Sequence, residues 1–174
     1  MSPVEQDDRH NIPASEGYWQ PLPANGYVEI RVSTRQYPQT SGVEQGIQVI
    51  APGGYVREHR HKGQQELILV YEGEGVAEID GREYPMFSGA SFYLTPYKRH
   101  QFINTGEGEL KFFWVFLPGG LADFFRKVGR PQRAGETAPP AFARPDNINQ
   151  IEAETVFAHL GHPLNVASYG CPIK

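Results

Sequence analysis

With 174 residues, 39% of them hydrophobic, the chain is long enough for one domain with a sizeable core. Twenty acidic against sixteen basic residues leave a net charge of -4, which removes the electrostatic attraction expected for a nucleic-acid or anionic-membrane partner. No apolar run approaches the ~20 residues of a membrane-spanning helix, and the single cysteine, Cys171, excludes an intrachain disulfide framework, so a small molecule is the expected partner.

Met1 to Asn11 is polar and carries Glu5, Asp7 and Asp8, unlike the basic-then-apolar plan of a signal peptide, and a cytoplasmic location is expected. Residues 1–26 hold Pro13, Pro21 and Pro23 with little periodicity and read as an N-terminal arm, with Tyr18 and Trp19 as anchors. Tyr27 to Thr34 alternates apolar and polar in the manner of a half-buried strand, and Gly46 to Ile50 is the next. From there to Pro118 the pattern is strand, turn, strand; the Asp80-Gly81 pair marks one tight hairpin. Leu110 to Leu117 is apolar at nearly every position, as expected of a strand covered on both faces, and a homodimer interface would supply that cover. Leu121, Phe124, Phe125 and Val128 follow at amphipathic-helix spacing, expected to pack on the outside of the barrel, and a proline-rich segment and a second short helix within residues 147–157 come after. The expected organisation is an arm (1–26), a β-barrel (27–118) and a C-terminal helical extension (119–174).

The stretch Gly53 to Gly73 concentrates the chemistry. His59 and His61 lie two apart and can face one cavity from a strand, and Glu66 opens the apolar run Leu67 to Tyr71. Neutral imidazoles with one carboxylate suit Zn, Fe, Mn, Co, Ni or Cu without choosing among them. Gln64 and Gln65 flank Glu66 and are placed either to orient a ligand or to be solvated. Arg60 alternates with the two histidines and is expected to point outward.

Gly53, five residues, His59, one residue, His61, four residues, Glu66, six residues and Gly73 resemble the first sequence motif of the cupin superfamily. Gly89, His100 and Asn104 resemble its second motif in spacing, with Thr95 where proline is usual and Tyr97 where glycine is usual. The resemblance covers roughly residues 46–117. It implies an all-β fold, a double-stranded β-helix or jelly-roll barrel, holding one divalent transition metal through His59, His61, Glu66 and His100. Phe102 shares the face of His100 by strand parity and is expected to enter the cavity; Tyr93, Phe112 and Trp114 are further candidates for a substrate-binding wall. The turn Pro118 to Leu121 and the segment Phe124 to Pro131 resemble the C-terminal extension of single-domain cupins grouped with quercetin dioxygenases. That resemblance implies a metal-dependent dioxygenase acting on a small enol or aromatic hydroxyl compound, with Glu66 accepting the substrate proton. A non-oxidative lyase, isomerase or cyclase, and a binding protein without catalysis, are the alternatives.

Overall fold

The computed structural model describes residues 16–133 and 135–161. Eleven strands and two helices follow one another: β1 (Glu16–Trp19), β2 (Tyr27–Val32), β3 (Glu44–Ile50), β4 (Tyr55–His59), β5 (Gln65–Glu72), β6 (Gly75–Ile79), β7 (Arg82–Met86), β8 (Ser91–Leu94), β9 (His100–Asn104), β10 (Leu110–Leu117), α1 (Leu121–Val128), β11 (Arg130–Pro131) and α2 (Ile148–Glu154). They form a seven-stranded sheet in the order β11-β1-β2-β3-β10-β5-β8 and a four-stranded sheet in the order β4-β9-β6-β7. From β3 to β10 the chain crosses repeatedly between the sheets, all neighbours are antiparallel, and the result is a double-stranded β-helix. The Asp80-Gly81 pair makes the expected hairpin, both residues at positive φ (49° and 76°), joining Ile79 to its partner Arg82.

Strand alternation builds the core. Leu110, Phe112, Trp114 and Phe116 of β10 are fully buried, facing Ile68 and Val70 of β5 and Ile50 of β3. Among the described residues only this face of β10 is closed: Leu67, Leu69 and Tyr93 on the outer face of the same sheet are 51%, 45% and 57% exposed, so the described residues do not provide the two-sided cover expected of β10.

Two parts of the fold differ from the sequence reading. Glu16–Trp19, read as arm, is a strand hydrogen-bonded between β2 and β11; residues 1–15 lie outside the described residues. The long-range link that holds it is a two-pronged ion pair: Arg126 of α1 donates from Nε and Nη2 to the two carboxylate oxygens of Glu16, at 2.8 and 2.6 Å. Helix α1, expected outside the barrel, instead joins its core cluster, Phe125 packing on the buried ring of Trp114 at 6.1 Å. Its first turn has no side-chain cap of its own; the buried carboxylate of Glu44 on β3 accepts from the backbone N–H groups of Gly120 and Ala122, at 2.8 and 3.0 Å, and does that work from another element.

The same tryptophan dictates Gly46. A Cβ there would lie 2.4 Å from the Trp114 ring and 2.3 Å from the carbonyl oxygen of Glu29, so one contact is with a buried ring and the other with backbone. Gly46→Ala is expected to destabilise the fold by about 1–3 kcal/mol, read as a lower urea midpoint; an unchanged midpoint would show that the strand pair yields freely.

Candidate metal centre

Both sheets contribute to one cluster. His59 ends β4 and His100 begins β9, and the two are cross-strand partners. Between the pairs Val56–Phe102 and His59–His100 the register shifts by one residue on β4, a bulge that keeps both Val56 and His59 on the cavity side. His61 lies just past β4 in an isolated bridge with Phe157, and Glu66 is the second residue of β5 in the opposite sheet. One donor atom from each of His59, His61, Glu66 and His100 falls within 4.8 Å of all the others, as the resemblance implies. Nε2 of His61 and Nε2 of His100 each lie 3.3 Å from Oε2 of Glu66.

The histidine tautomers follow from their outer contacts. Nδ1 of His59 lies 2.8 Å from the carbonyl oxygen of Arg57, and Nδ1 of His100 lies 2.9 Å from that of Lys98. A carbonyl can only accept, so each Nδ1 carries the proton and each Nε2 turns a lone pair inward. His61 Nε2, His100 Nε2 and Glu66 Oε2 are buried without a hydrogen-bond partner despite their proximity. Converging buried atoms without hydrogen-bond partners among the described residues match the donor set of a divalent transition metal, and by this test the residues fit one.

Charge states agree. Burial pushes the Glu66 carboxyl up, but the His100 and His61 imidazoles beside it prevail and hold it below its usual range, so it is ionised. Burial lowers His59 well below its usual value, with His100 and His61 adding to the effect, and burial likewise lowers His61; both are neutral at pH 7. Neutral imidazoles and an ionised carboxylate are the metal-binding forms.

The cluster opens onto a cavity of about 410 Å³ whose wall includes His59, His61, Glu66, Phe102, Phe124 and Phe157. Phe102 is 2% exposed and stands against His100 at 5.5 Å, in the place expected of it. Tyr93 does not join it. Opposite Glu66 stands Leu94, which is buried, so its neighbour Tyr93 falls on the outer face beside Leu67 and donates its hydroxyl to Gln65. That pairing also removes Gln65 from the site. Phe112 and Trp114 are wholly buried in the core beneath the cavity and are not part of its wall. Tyr97 holds a positive φ of 63°, so the backbone keeps the turn usually made by glycine, and the side chain is not on the cavity wall.

The residue the sequence did not point to is Phe157. Its ring lies 5.4 Å from His59, 5.2 Å from His61 and 4.6 Å from Phe124, and hydrogen bonds from Lys62 N to Val156 O and from Ala158 N to Arg60 O bind its segment along the ligand strand. This strap also corrects the reading of Arg60, which turns away from the ligands but is 3% exposed, covered by the strap and donating to the carbonyl of His159.

The depressed histidines make stability pH-dependent. In the unfolded chain His59 and His61 titrate near 6.5; in the metal-free fold they do so lower, so the unfolded state binds more protons as pH falls below that value. Glu66 acts in the same direction only at lower pH, its contribution being present above 4.5 and lost as pH falls through its folded value. Chelator-treated protein is therefore expected to lose thermal stability between pH 7.5 and 5, and His59→Asn to lose less; equal slopes in melts across that range would contradict the assignment.

Residues 46–116 match the family described as a cupin domain. Protein SchB from Streptomyces halstedii is 32% identical over 88 residues, 49% of this chain and 62% of the relative. Polyketide synthase CurC from Streptomyces cyaneus is 29% identical over 79 residues, 45% of this chain and 51% of the relative. An oxalate-binding protein from Thermotoga maritima is 31% identical over 68 residues, 39% and 56%. The chain thus spans between 51% and 62% of the length of these curated relatives. No helix among the described residues is long and apolar enough to cross a membrane. The matched segment contains the stretch that carries all four clustered side chains, and over this segment the chain matches the cupin superfamily.

Proposed function

We propose that this chain is a metal-dependent enzyme acting on a small enol or aromatic hydroxyl compound, with dioxygenation as the first reading. The observation that carries it is the cluster of three imidazoles and one carboxylate set at a cavity whose wall includes Phe102, Phe124, Phe125 and Phe157. His59, His61, Glu66 and His100 would hold the ion. A divalent redox-active metal so held supplies Lewis acidity toward an enolate or phenolate oxygen and, with positions left open by four protein donors, a place for O2.

The remaining roles belong to the chain. Phe102, Phe124 and Phe157 present apolar rings that exclude water and take a flat ligand. A volume of about 410 Å³ lies in the range of sites for drug-sized molecules and exceeds what a two-carbon dianion such as oxalate requires. Glu66 is ionised in the cluster, the form in which it would serve as a ligand and would accept the substrate proton.

One observation favours a second reading. A relative at 29% identity is named a polyketide synthase, and poly-β-ketones enolise readily. The same ligand set around a redox-inert ion would then assist a non-oxidative cyclisation or isomerisation. Oxygen consumption separates the two. Protein loaded in turn with Fe, Mn, Ni, Co, Cu or Zn is expected to consume O2 on quercetin, acetylacetone or catechol with at least one redox-active ion and none with Zn. Product formed anaerobically would replace the first reading by the second, and no product with any metal would contradict both.

A further inference from the structure

The geometry points to Gln48 as a specificity-determining residue: its side-chain carbonyl is a fixed hydrogen-bond acceptor that selects ligands carrying a hydroxyl or N–H donor at the end remote from the metal. This deepens the reading above and rests on it for the placement of the ligand.

The orientation of the Gln48 amide is dictated by its neighbours. Gln20 is 5% exposed, and one end of its side-chain amide lies 3.1 Å from the carbonyl oxygen of Tyr27 and 3.0 Å from that of Val49. Two carbonyls can be satisfied only by the NH2 group, so the other end of Gln20 is its oxygen. That oxygen lies 2.7 Å from the Gln48 side chain and must receive an N–H from it. Gln48 is thereby locked with Nε2 toward Gln20 and Oε1 turned away.

Oε1 has no hydrogen-bond partner among the described residues, and it is not one of the sealed, unpartnered polar atoms of the interior; Gln48 is 7% exposed and lies on the cavity wall. An almost buried acceptor that still reaches the cavity is a polar group waiting for a donor, and leaving it unmatched when a ligand displaces water is unfavourable. Its position relative to the metal centre follows from the register. Gln48 is the cross-strand partner of Phe112, whose ring stands 5.3 Å from Phe102, which in turn stands 5.5 Å from His100. On the cavity wall the acceptor and the metal ligands therefore stand on either side of Phe102, with Phe112 buried behind it. A flat, multi-ring molecule with an enol or phenol oxygen at one end and a hydroxyl at the other satisfies both ends.

The test compares 3-hydroxyflavone with 3,4′-dihydroxyflavone, which share the metal-binding hydroxy-ketone and differ only in one remote hydroxyl, on metal-loaded protein by fluorescence titration. Wild type is expected to bind the dihydroxy compound about two- to tenfold tighter, the worth of one net hydrogen bond. Gln48→Met, of similar length with no carbonyl, is expected to bind the two equally. Gln48→Asn, which keeps both the amide donor and the carbonyl acceptor on a shorter stem, is expected to fold and to weaken the preference, so a failure of the Met variant to fold leaves the question decidable. Equal binding of the two compounds by wild type, binding of neither, or a preference that survives in Gln48→Met would overturn the assignment. Oxygen uptake without the preference would remove Gln48 and leave the dioxygenase reading standing; the preference without oxygen uptake would do the reverse.

Discussion

Three imidazoles and a carboxylate pressed together in a protein interior are unfavourable unless something shares their lone pairs, and the rest of this structure is arranged around that constraint. Removing a charged carboxylate from water costs several kcal/mol, and the imidazole nitrogens of His61 and His100 face Glu66 Oε2 at 3.3 Å, all three atoms buried without a hydrogen-bond partner. The carbonyls of Arg57 and Lys98 take the outer protons of His59 and His100, which leaves the inner nitrogens as acceptors. A cation at their focus would give the three unpartnered atoms of His61, Glu66 and His100, together with Nε2 of His59, a common partner.

The barrel exists to bring those groups to one point. His59 and His100 come from adjacent strands of one sheet, Glu66 from the other, and His61 from the crossing between them. No local segment could do this. The C-terminal strap closes the arrangement from a third direction: Phe157 packs on two ligand rings, while Lys62 Nζ donates to the carbonyls of Ala153 and Thr155 to hold the end of α2 in place. Arg57 and Arg144 both reach Glu152 at 2.6 Å and tie the same helix to the cavity mouth. Cavity shape and ligand orientation are thus linked, since the strap that forms one wall is the element that buries His61.

Features carried by short spacing were legible in the sequence. His59, His61 and Glu66 stood out by their spacing, His100 was added by the resemblance to the second cupin motif, and the Asp80-Gly81 turn followed from its own backbone preference. Alternation also placed Phe102 correctly from the position of His100. It failed for Tyr93 because the register of β8 against β5 is decided by which of Leu94 and Tyr93 meets Glu66, a fact of pairing between strands about thirty residues apart. The same nonlocality hid Glu44 capping α1, Arg126 gripping Glu16, Phe157 on the ligands and Gln20 orienting Gln48. Each of these joins residues whose neighbours in sequence give no sign of the partner.

The central claim is that the four side chains are a metal site, and metal content measures it most directly. Elemental analysis of protein purified without a metal-affinity tag is expected to find roughly one equivalent of a divalent transition metal per chain, lost in His61→Ala. Wild-type protein that carries no such metal and retains none after incubation with Fe, Mn, Co, Ni, Cu or Zn, or a His61→Ala variant with undiminished content, would contradict the account.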